Sequence, residues 1–328
     1  MKALVATRHG GPEVLRVEEL PNPQPKTDEV LVQVEAAGIN FADLMAISGR
    51  YPGSPQPPFV PGREFAGFVA PNRNQRVMGY TETGAFAEQV AVPRHRLWAS
   101  PAGWSPAQAA AFPVNYFTAY LAYWKAGLLP NDPLRPKHRR PRVLIHAVAG
   151  GVGTAAVQIG KLLDVEMYGT SSSDGKLQGA SALGLDHGIN YTRQDYEQLI
   201  REHTNREGVD AVFEMLGGEH TGKSIRCLGF LGRCILYGTA TGRKPEFDPQ
   251  ALYAKGNSVH GLWLSPLSSH REVIEPALAQ LTQWISAGKL QPVIGHTFPL
   301  DQAAEGFRLL AERRNFGKVV LKVSLGKD

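Results

Sequence analysis

The most specific arrangement of residues in the chain runs from Arg142 to Gly153, RVLIHAVAGGVG, and continues unbroken into Thr154–Lys161. Ala147, Gly150 and Gly153 form an Ala-x-x-Gly-x-x-Gly pattern, a relaxed version of Gly-x-Gly-x-x-Gly. Small residues at those points let a backbone turn sharply after a buried strand. They also let a pyrophosphate approach the peptide N–H groups and let the next helix pack closely. The first turn of that helix then offers unpaired N–H donors and the positive end of its dipole. A glycine triplet alone says little. Here Arg142–Ala147 reads as a strand, Val152–Leu163 as a helix, and a strand–helix series follows, which is the context a dinucleotide site requires. Ala149, Gly150, Gly151, Val152 and Gly153 are the expected cofactor-binding residues of this turn.

The dinucleotide is read from the end of the next strand. A site for NAD usually carries Asp or Glu there, to accept from the ribose 2′-hydroxyl. This chain has Gly169-Thr170-Ser171-Ser172-Ser173, then Asp174 and Lys176. Small hydroxyls with a lysine suit a 2′-phosphate, which needs donors and positive charge. NADPH is therefore expected over NADH. Asp174 argues the other way, unless it caps the helix that Lys176 begins.

Other chemistries lack their residues. The ten histidines include no pair at metal-ligand spacing, whereas a catalytic zinc needs three protein ligands and an open position. His146 and His260 read as core or packing residues. No Gly-x-Ser-x-Gly elbow with a plausible triad is present. Cys227 and Cys234, the two cysteines, form no CxxC pair and read as packing. No metal ligands are expected.

The elements that must position these residues fall into two textures. The chain has 328 residues and 43% hydrophobic content, enough for a core and roughly two domains. To about residue 100 it reads as short strands punctuated by proline: Lys2–Thr7, Val14–Leu20, Val30–Ala37, Gly67–Ala70, Val77–Gly79 and Ala85–Val92. One helix starts near Asn40, another at Ser105-Pro106, and an aromatic-rich one spans Val114–Ala126. From Arg142, strands and helices alternate through Arg233–Gly238, which predicts a parallel sheet wrapped by helices. A strand near Ser258–Leu264, a helix over Glu272–Ala287, a helix over Asp301–Arg313 and a strand over Lys318–Val323 follow.

The net charge of +5 is mild and favours anionic partners only weakly. The basic run Pro130–Pro141 lacks interleaved aromatics and reads as a solvated surface loop, so no nucleic acid is expected. The N-terminus lacks the apolar stretch of a signal peptide. No run is long and apolar enough for an integral membrane segment. A cytoplasmic protein is the expectation.

Several segments together resemble the zinc-free, zeta-crystallin-like quinone oxidoreductases of the medium-chain dehydrogenase/reductase superfamily. They are AAGINFADLMAISGRYP (Ala36–Pro52), FVPGREFAG (Phe59–Gly67), AAAFPVNYFTAY (Ala109–Tyr120), AVAGGVGTAAVQ (Ala147–Gln158) and NFGKVVL (Asn315–Leu321). Asn-Phe-Ala-Asp with Val-Asn-Tyr-x-Thr-Ala-Tyr is closest to the branch of vesicle amine transport protein homologues. The resemblance implies an α/β fold: a Rossmann doubly wound parallel sheet plus a mostly β GroES-like substrate domain. Residues 1–115 would form the first part of the substrate domain, 116–289 the NADPH-binding domain, and 290–328 the return segment. A homodimer is implied, with Ser258–Leu264 pairing across a twofold. Zinc relatives keep Cys after Gly-Ile and His-Glu after Pro-Gly. Here those places hold Asn40 and Arg63-Glu64. Two segments depart from the family: Phe68–Val77 is short and Pro130–Pro141 is long.

The resemblance also implies roles. Asn40 and Tyr51 would line the nicotinamide end as the catalytic candidates. Asn40 would orient the ring or donate to a developing oxyanion, or else cap a helix. Tyr51 either donates a proton or walls the site. Asn115 and Thr118 would face the cofactor, and Tyr116 would be core. Lys176 and Tyr191 would hold the 2′-phosphate with Ser171 or Ser172. Gly238 would approach the nicotinamide and Asn315 would close over the cofactor. Arg313 or Arg314 would reach the 2′-phosphate or lie solvated. The implied reaction is hydride transfer from NADPH to a quinone or related conjugated carbonyl. The alternatives are an enone, alkenal or enoyl-thioester reductase, and an NADPH-binding regulatory protein with little turnover.

Overall fold

The computed structural model describes residues 1–323. The chain forms two compact units, one made of Met1–Asn115 with the segment from Ser265 onward, the other of Tyr116–Leu264.

The first unit contains β1 (Lys2–Ala6), β2 (Leu15–Glu19), β3 (Glu29–Ile39), α1 (Phe41–Ile47), β4 (Glu64–Val69), β5 (Arg76–Tyr80), β6 (Gln89–Pro93), β7 (Leu97–Ala99) and α2 (Pro106–Ala110). α3 (Pro113–Lys125) carries the chain across the boundary. The second unit contains β8 (Arg142–Ile145), α4 (Gly151–Leu162), β9 (Glu166–Ser171), α5 (Asp174–Leu183), β10 (His187–Asn190), α6 (Tyr196–His203), β11 (Val209–Glu214), α7 (Glu219–Arg226), β12 (Leu228–Leu236), α8 (Gln250–Tyr253) and β13 (Ser258–Gly261). The return segment adds α9 (Leu264–Leu267), α10 (Arg271–Ser286), β14 (Ile294–Pro299), α11 (Ala303–Ala311) and β15 (Lys318–Lys322).

β8 to β13 make one parallel sheet in the order β10-β9-β8-β11-β12-β13. Counted from β8 as first, this is the order 3-2-1-4-5-6 of the dinucleotide-binding doubly wound fold, in which ligands bind beyond the strands' carboxyl ends. The middles of the central strands β8 and β11 are apolar because helices cover both faces. Val143, Leu144, Ile145, Ala211, Val212 and Phe213 are fully buried.

The sheet of the first unit runs β14-β15-β3-β4-β5-β7, with β6 also on β3. β3 alternates buried and half-buried residues from Glu29 to Glu35, then is buried on both faces from Ala36 to Ile39. That double burial leads straight to Asn40 and brings three strands together at one point. Gly38 pairs with Glu64 on β4 and with Val320 on β15, two residues beyond Lys318. The core gathers Val32, Val34, Ile39, Ile47, Phe65, Phe86, Phe307 and Leu321.

Several expectations need correction. Ala85–Val92 is not one strand: β6 starts at Gln89, and Ala87 makes only an isolated bridge to Ala3. β13 ends at Gly261, and Leu264 already opens α9. β14 has no counterpart in the sequence reading, because its alternation is short and it closes on Pro299. The segment Ser265–Lys289, read from sequence as part of the dinucleotide-binding half, groups with the first unit. Helical periodicity shows that α10 has an apolar face but not which core receives it. Pro130–Pro141 is not simply solvated. Arg139 holds Asp210 through two hydrogen bonds of 2.7 and 2.9 Å, and Arg140 pairs with Asp164 at 3.1 Å and Asp186 at 3.2 Å. Arg135 donates to the Leu128 and Leu163 carbonyls. His260 is half-buried and shares a 2.8 Å hydrogen bond with Ser258, so it is an edge residue rather than core. Among the described residues, no helix is long and apolar enough to cross a membrane.

Candidate functional site

β8 ends beneath Ala147, whose φ of 48° turns the backbone into the left-handed region. The Gly150 N–H donates to the Ala147 carbonyl at 2.9 Å, which closes the turn. Gly150 is extended at the N-cap of α4, and no side chain caps the helix. The first-turn N–H groups of Gly151, Val152 and Gly153 are therefore not claimed by any side-chain cap, as an anion-binding helix start requires. Ala149 is buried within the same turn. Gly153 is obligatory for packing: a Cβ there would lie 2.5 Å from the Val148 carbonyl carbon.

The end of β9 lies beside this turn, since the Val148 N–H donates to the Thr170 carbonyl at 3.1 Å. Ser171 is buried and its carbonyl accepts from the Tyr191 N–H at 3.1 Å, so Ser171 and Tyr191 are adjacent. The Tyr191 side chain is exposed, and Ser172 and Lys176 are half-buried. Partial burial holds the Lys176 ammonium below its usual range. Asp174 is not the N-cap of α5; Ser173 is. The Asp174 carboxylate is held by Asn190 at 2.6 Å and by Arg193 at 2.9 Å. Arg193 was missed in the sequence reading, which stopped at Tyr191; a cation two residues further on was the signal. Gly238 follows β12, and a Cβ there would meet the Met215 Cβ at 3.2 Å.

A buried network lies under this sheet. His146 bonds Thr170 at 3.0 Å and Ser224 at 2.9 Å, and Ser224 donates to Glu214 at 2.5 Å. Glu214 in turn accepts from the Leu216 and Gly217 N–H groups. Burial holds the His146 imidazole below its usual range, so the ring is neutral and shapes the strand ends.

In the first unit, Asn40 is the N-cap residue of α1. Its amide is engaged on both sides. Nδ2 donates to Glu64 at 2.9 Å and to the Gly38 carbonyl at 3.3 Å, while Oδ1 accepts from the Lys318 ammonium at 2.5 Å. Only this orientation of the amide satisfies a cationic donor and a carboxylate together. The Lys318 ammonium also contacts Glu64 directly. Glu64 is 0% exposed and Lys318 3% exposed, so the pair is out of water. The second oxygen of Glu64 accepts from the Val114 N–H at 2.7 Å, in the first turn of α3, where a carboxylate is favoured. Gly38 is required here, since a Cβ would lie 2.6 Å from the Lys318 Cε and 2.7 Å from the Glu64 Oε1.

A second cluster adjoins the first through α1. Asp43 accepts from the Asn40 N–H at 2.8 Å. Burial pushes its carboxyl up to about 6 despite Arg63, whose Nε is 3.8 Å away. The Arg63 guanidinium lies 4.1 Å over the Tyr51 ring and 3.4 Å from Glu82. Glu82 also holds Arg96 at 3.2 Å and Ser265 at 2.7 Å. The structure thus joins Asn40 and Tyr51 through Asp43 and Arg63. The roles of Glu64 and Lys318 were not legible: each is an ordinary charged residue in sequence, 254 positions apart.

Asn115 and Thr118 are buried one turn apart on α3, and Asn115 donates to the Ala111 carbonyl at 2.9 Å. Tyr116, between them, is fully buried. Asn315 is buried and donates to the Gly317 carbonyl at 2.9 Å. Arg314 pairs with Glu312 at 2.7 Å, while Arg313 takes a φ of 55° at the end of α11.

The fold and its glycine turn define a two-unit α/β protein with a dinucleotide-binding sheet. Comparison with known proteins carries this further. Residues 26–102 match the alcohol dehydrogenase GroES-like domain, and residues 183–321 match the zinc-binding dehydrogenase model. A zebrafish (Danio rerio) synaptic vesicle membrane protein VAT-1 homolog is 34% identical over 100% of this chain and 71% of its own length. The pig (Sus scrofa) quinone oxidoreductase is 29% identical over 98% of this chain and 97% of its own. The Thermus thermophilus quinone oxidoreductase, solved alone and with NADPH, superposes with a TM-score of 0.86 at 36% identity over 98% of this chain and 100% of its own. The chain belongs to the medium-chain dehydrogenase/reductase superfamily of oxidoreductases, in the group that holds quinone oxidoreductases and VAT-1 homologues.

Proposed function

We propose that the protein is an NADPH-dependent oxidoreductase that reduces a quinone or related conjugated carbonyl without a metal ion. One observation carries the reading: the Lys318 ammonium, buried between Glu64 and Asn40. The matched model's description names zinc, but this donor set does not suit that ion. The family's ligand positions carry an amide, Asn40, and a guanidinium, Arg63. The neighbouring carboxylate, Glu64, is neutralised by its own cation. Among the described residues, no group of three or more His, Cys, Asp or Glu stands together as a metal site. Hydride addition to a quinone or enone places charge on a carbonyl oxygen already conjugated to receive it. Positioned neutral or cationic donors are then sufficient where an unactivated alcohol would benefit from a Lewis acid.

The turn from Ala149 to Gly153 would hold the pyrophosphate. Ser171, Ser172, Lys176 and Tyr191, with Arg193, would hold the 2′-phosphate. Asp174 offers little repulsion to that phosphate, because Asn190 and Arg193 already occupy its oxygens. When bound, NADPH supplies the hydride. Asn40 and Tyr51 are the catalytic candidates on the acceptor side, with Asn115, Thr118, Gly238 and Asn315 at the cofactor. Asn40 has both amide ends engaged within the chain. Its reading as a donor to the acceptor requires exchange of the Gly38 or Glu64 bond. Tyr51 is held flat by Arg63 and is the simpler proton donor. A cytoplasmic homodimer paired through β13, the edge of the parallel sheet, completes the proposal.

The test is steady-state turnover with quinone and enone panels, using NADPH and NADH. Lys176→Ala is expected to raise KM for NADPH about tenfold or more, the loss of one charge-assisted hydrogen bond to the 2′-phosphate. KM for NADH should stay unchanged. Equal effects on both would remove the 2′-phosphate assignment. Turnover confined to enones would select the enone-reductase reading, and tight NADPH binding without turnover on either panel would select the regulatory one.

A further inference from the structure

Arg63 is balanced in charge but not in hydrogen bonds. Its side chain is 6% exposed. A guanidinium carries five N–H donors in a planar fork and accepts nothing. Among the described residues, the Arg63 side chain makes one hydrogen bond, a long one from Nη1 to Glu82 at 3.4 Å. Nε is buried and has no partner. The Asp43 carboxylate, 3.8 Å from Nε, is beyond hydrogen-bond reach. One face of the group lies 4.1 Å over the Tyr51 ring, a contact that answers charge rather than N–H direction. Buried polar groups in folded proteins are hydrogen-bonded, so a buried guanidinium left short calls for an oxygen that the chain does not supply.

The neighbouring carboxylates are committed elsewhere. Asp43 accepts from the Asn40 N–H at 2.8 Å, and Glu82 holds Arg96 at 3.2 Å and Ser265 at 2.7 Å. The Arg63 backbone is fixed, since its carbonyl accepts from the Thr81 N–H at 2.8 Å just past β5. Its side chain is nonetheless within reach of a small molecule. The Glu82 side chain, its hydrogen-bond partner, is 45% exposed, so the edge of the guanidinium lies one contact below the surface. Tyr51, on its face, belongs to the loop after α1 and is itself half-buried.

We propose that Arg63 is a catalytic residue whose guanidinium binds the carbonyl oxygen of the acceptor and stabilises the oxyanion that hydride addition leaves there. The inference rests on the function proposed above. Asn40 has both ends of its amide engaged, whereas Arg63 has donors to give. Arg63 also stands where zinc relatives place a metal ligand, so a fixed cation of the chain takes over the electrostatic task of a Lewis acid. Hydride brings its electron pair to the conjugated carbon, and the carbonyl π pair moves onto oxygen. A proton from Tyr51 or water then completes the reduced product, and NADPH leaves as NADP⁺.

The test uses the full chain and two readouts. Equilibrium dialysis without added dinucleotide compares binding of 4-nitrophenolate, a stable oxyanion conjugated to a ring, with binding of uncharged nitrobenzene. Wild type is expected to prefer the phenolate. Arg63→Met should lower phenolate affinity about tenfold or more and leave nitrobenzene affinity unchanged, while Arg63→Lys, which keeps the charge but not the fork, should lose less. On the quinone and enone panels, Arg63→Met should lower kcat about a hundredfold with KM for NADPH unchanged. Arg63→Met leaves Asp43 without its cation, so Arg63→Met with Asp43→Asn is measured beside it, and thermal melts show which variants stay folded. A folded variant without the guanidinium that keeps wild-type phenolate affinity or wild-type kcat would overturn the proposal and leave a buried water as the missing partner. So would a wild type that binds the phenolate no better than nitrobenzene. A wild type that holds the phenolate through Arg63 yet turns over neither panel would sustain the oxygen site and overturn the function on which its catalytic role rests.

Discussion

Lys318 shows how one buried charge organises a site. Its ammonium is out of water and, among the described residues, is held by direct contacts to Glu64 and Asn40, so neither partner can be removed alone. Lys318→Met is expected to destabilise the protein by about 3–5 kcal/mol, the cost of leaving a buried carboxylate unpaired. Adding Glu64→Gln should recover most of that loss, because an amide needs no counter-charge. Chemical denaturation of the two variants checks this, and a double variant as unstable as the single would remove the ion pair from the account. Asp43 makes a prediction of opposite kind. Its folded carboxyl is raised from 3.8 to about 6 by burial. A raised carboxyl stabilises fully below the unfolded value, and that contribution is lost as pH rises through the folded one. Wild type should therefore lose about 3 kcal/mol relative to Asp43→Asn between pH 4 and pH 7, at 1.36 kcal/mol per pKa unit. A constant difference across that range would refute the shift.

At the scale of elements, what sequence shows depends on whether a contact is local. The turn from Ala147 to Gly153 is legible because every constraint on it lies within a few residues: a buried strand, small residues at fixed spacing, a helix start. Gly153→Val therefore tests an element rather than a side chain. The added Cβ lies within 2.5 Å of backbone that cannot move without shifting β8 against α4. Dinucleotide affinity is expected to fall more than tenfold, with a lower melting temperature; calorimetric titration with NADPH and a thermal scan report both. Unchanged affinity would show that the turn is only a packing device. The parallel sheet was legible for the same reason, through the alternation from Arg142 to Gly238. The Asn40–Glu64–Lys318 cluster was not. It depends on β3 pairing with β4 on one side and β15 on the other, and no local pattern announces a register between strands so far apart. The allegiance of α10 was hidden likewise, since an apolar stripe does not name its partner. Pro130–Pro141 is the exposed surface loop that the sequence implies, but the pairing of Arg139 and Arg140 with Asp164, Asp186 and Asp210 was not legible, because those carboxylates come from three separate strand starts.

For the whole molecule, the decisive question is whether the chain has exchanged a metal ion for its own cations. The family to which it belongs includes enzymes that bind zinc, and a structural or catalytic ion couples to folding because its binding free energy adds to the folded state. Here the charges that such an ion would balance already balance each other: Lys318 with Glu64, and Arg63 with Asp43 and Glu82. These contacts draw on α1, β4 with the residue before it, the turn after β5, and β15, so the same side chains that would shape an acceptor site also tie the first unit together. Prolonged treatment with a chelator is therefore expected to change neither the thermal melting temperature nor NADPH-dependent turnover, and added zinc should restore nothing because nothing is lost. Elemental analysis of the purified protein should find well under one zinc per chain. A chelator that lowers the melting temperature or abolishes turnover, with recovery on adding zinc, would show that side chains now counted as partners of one another are ligands in the working molecule.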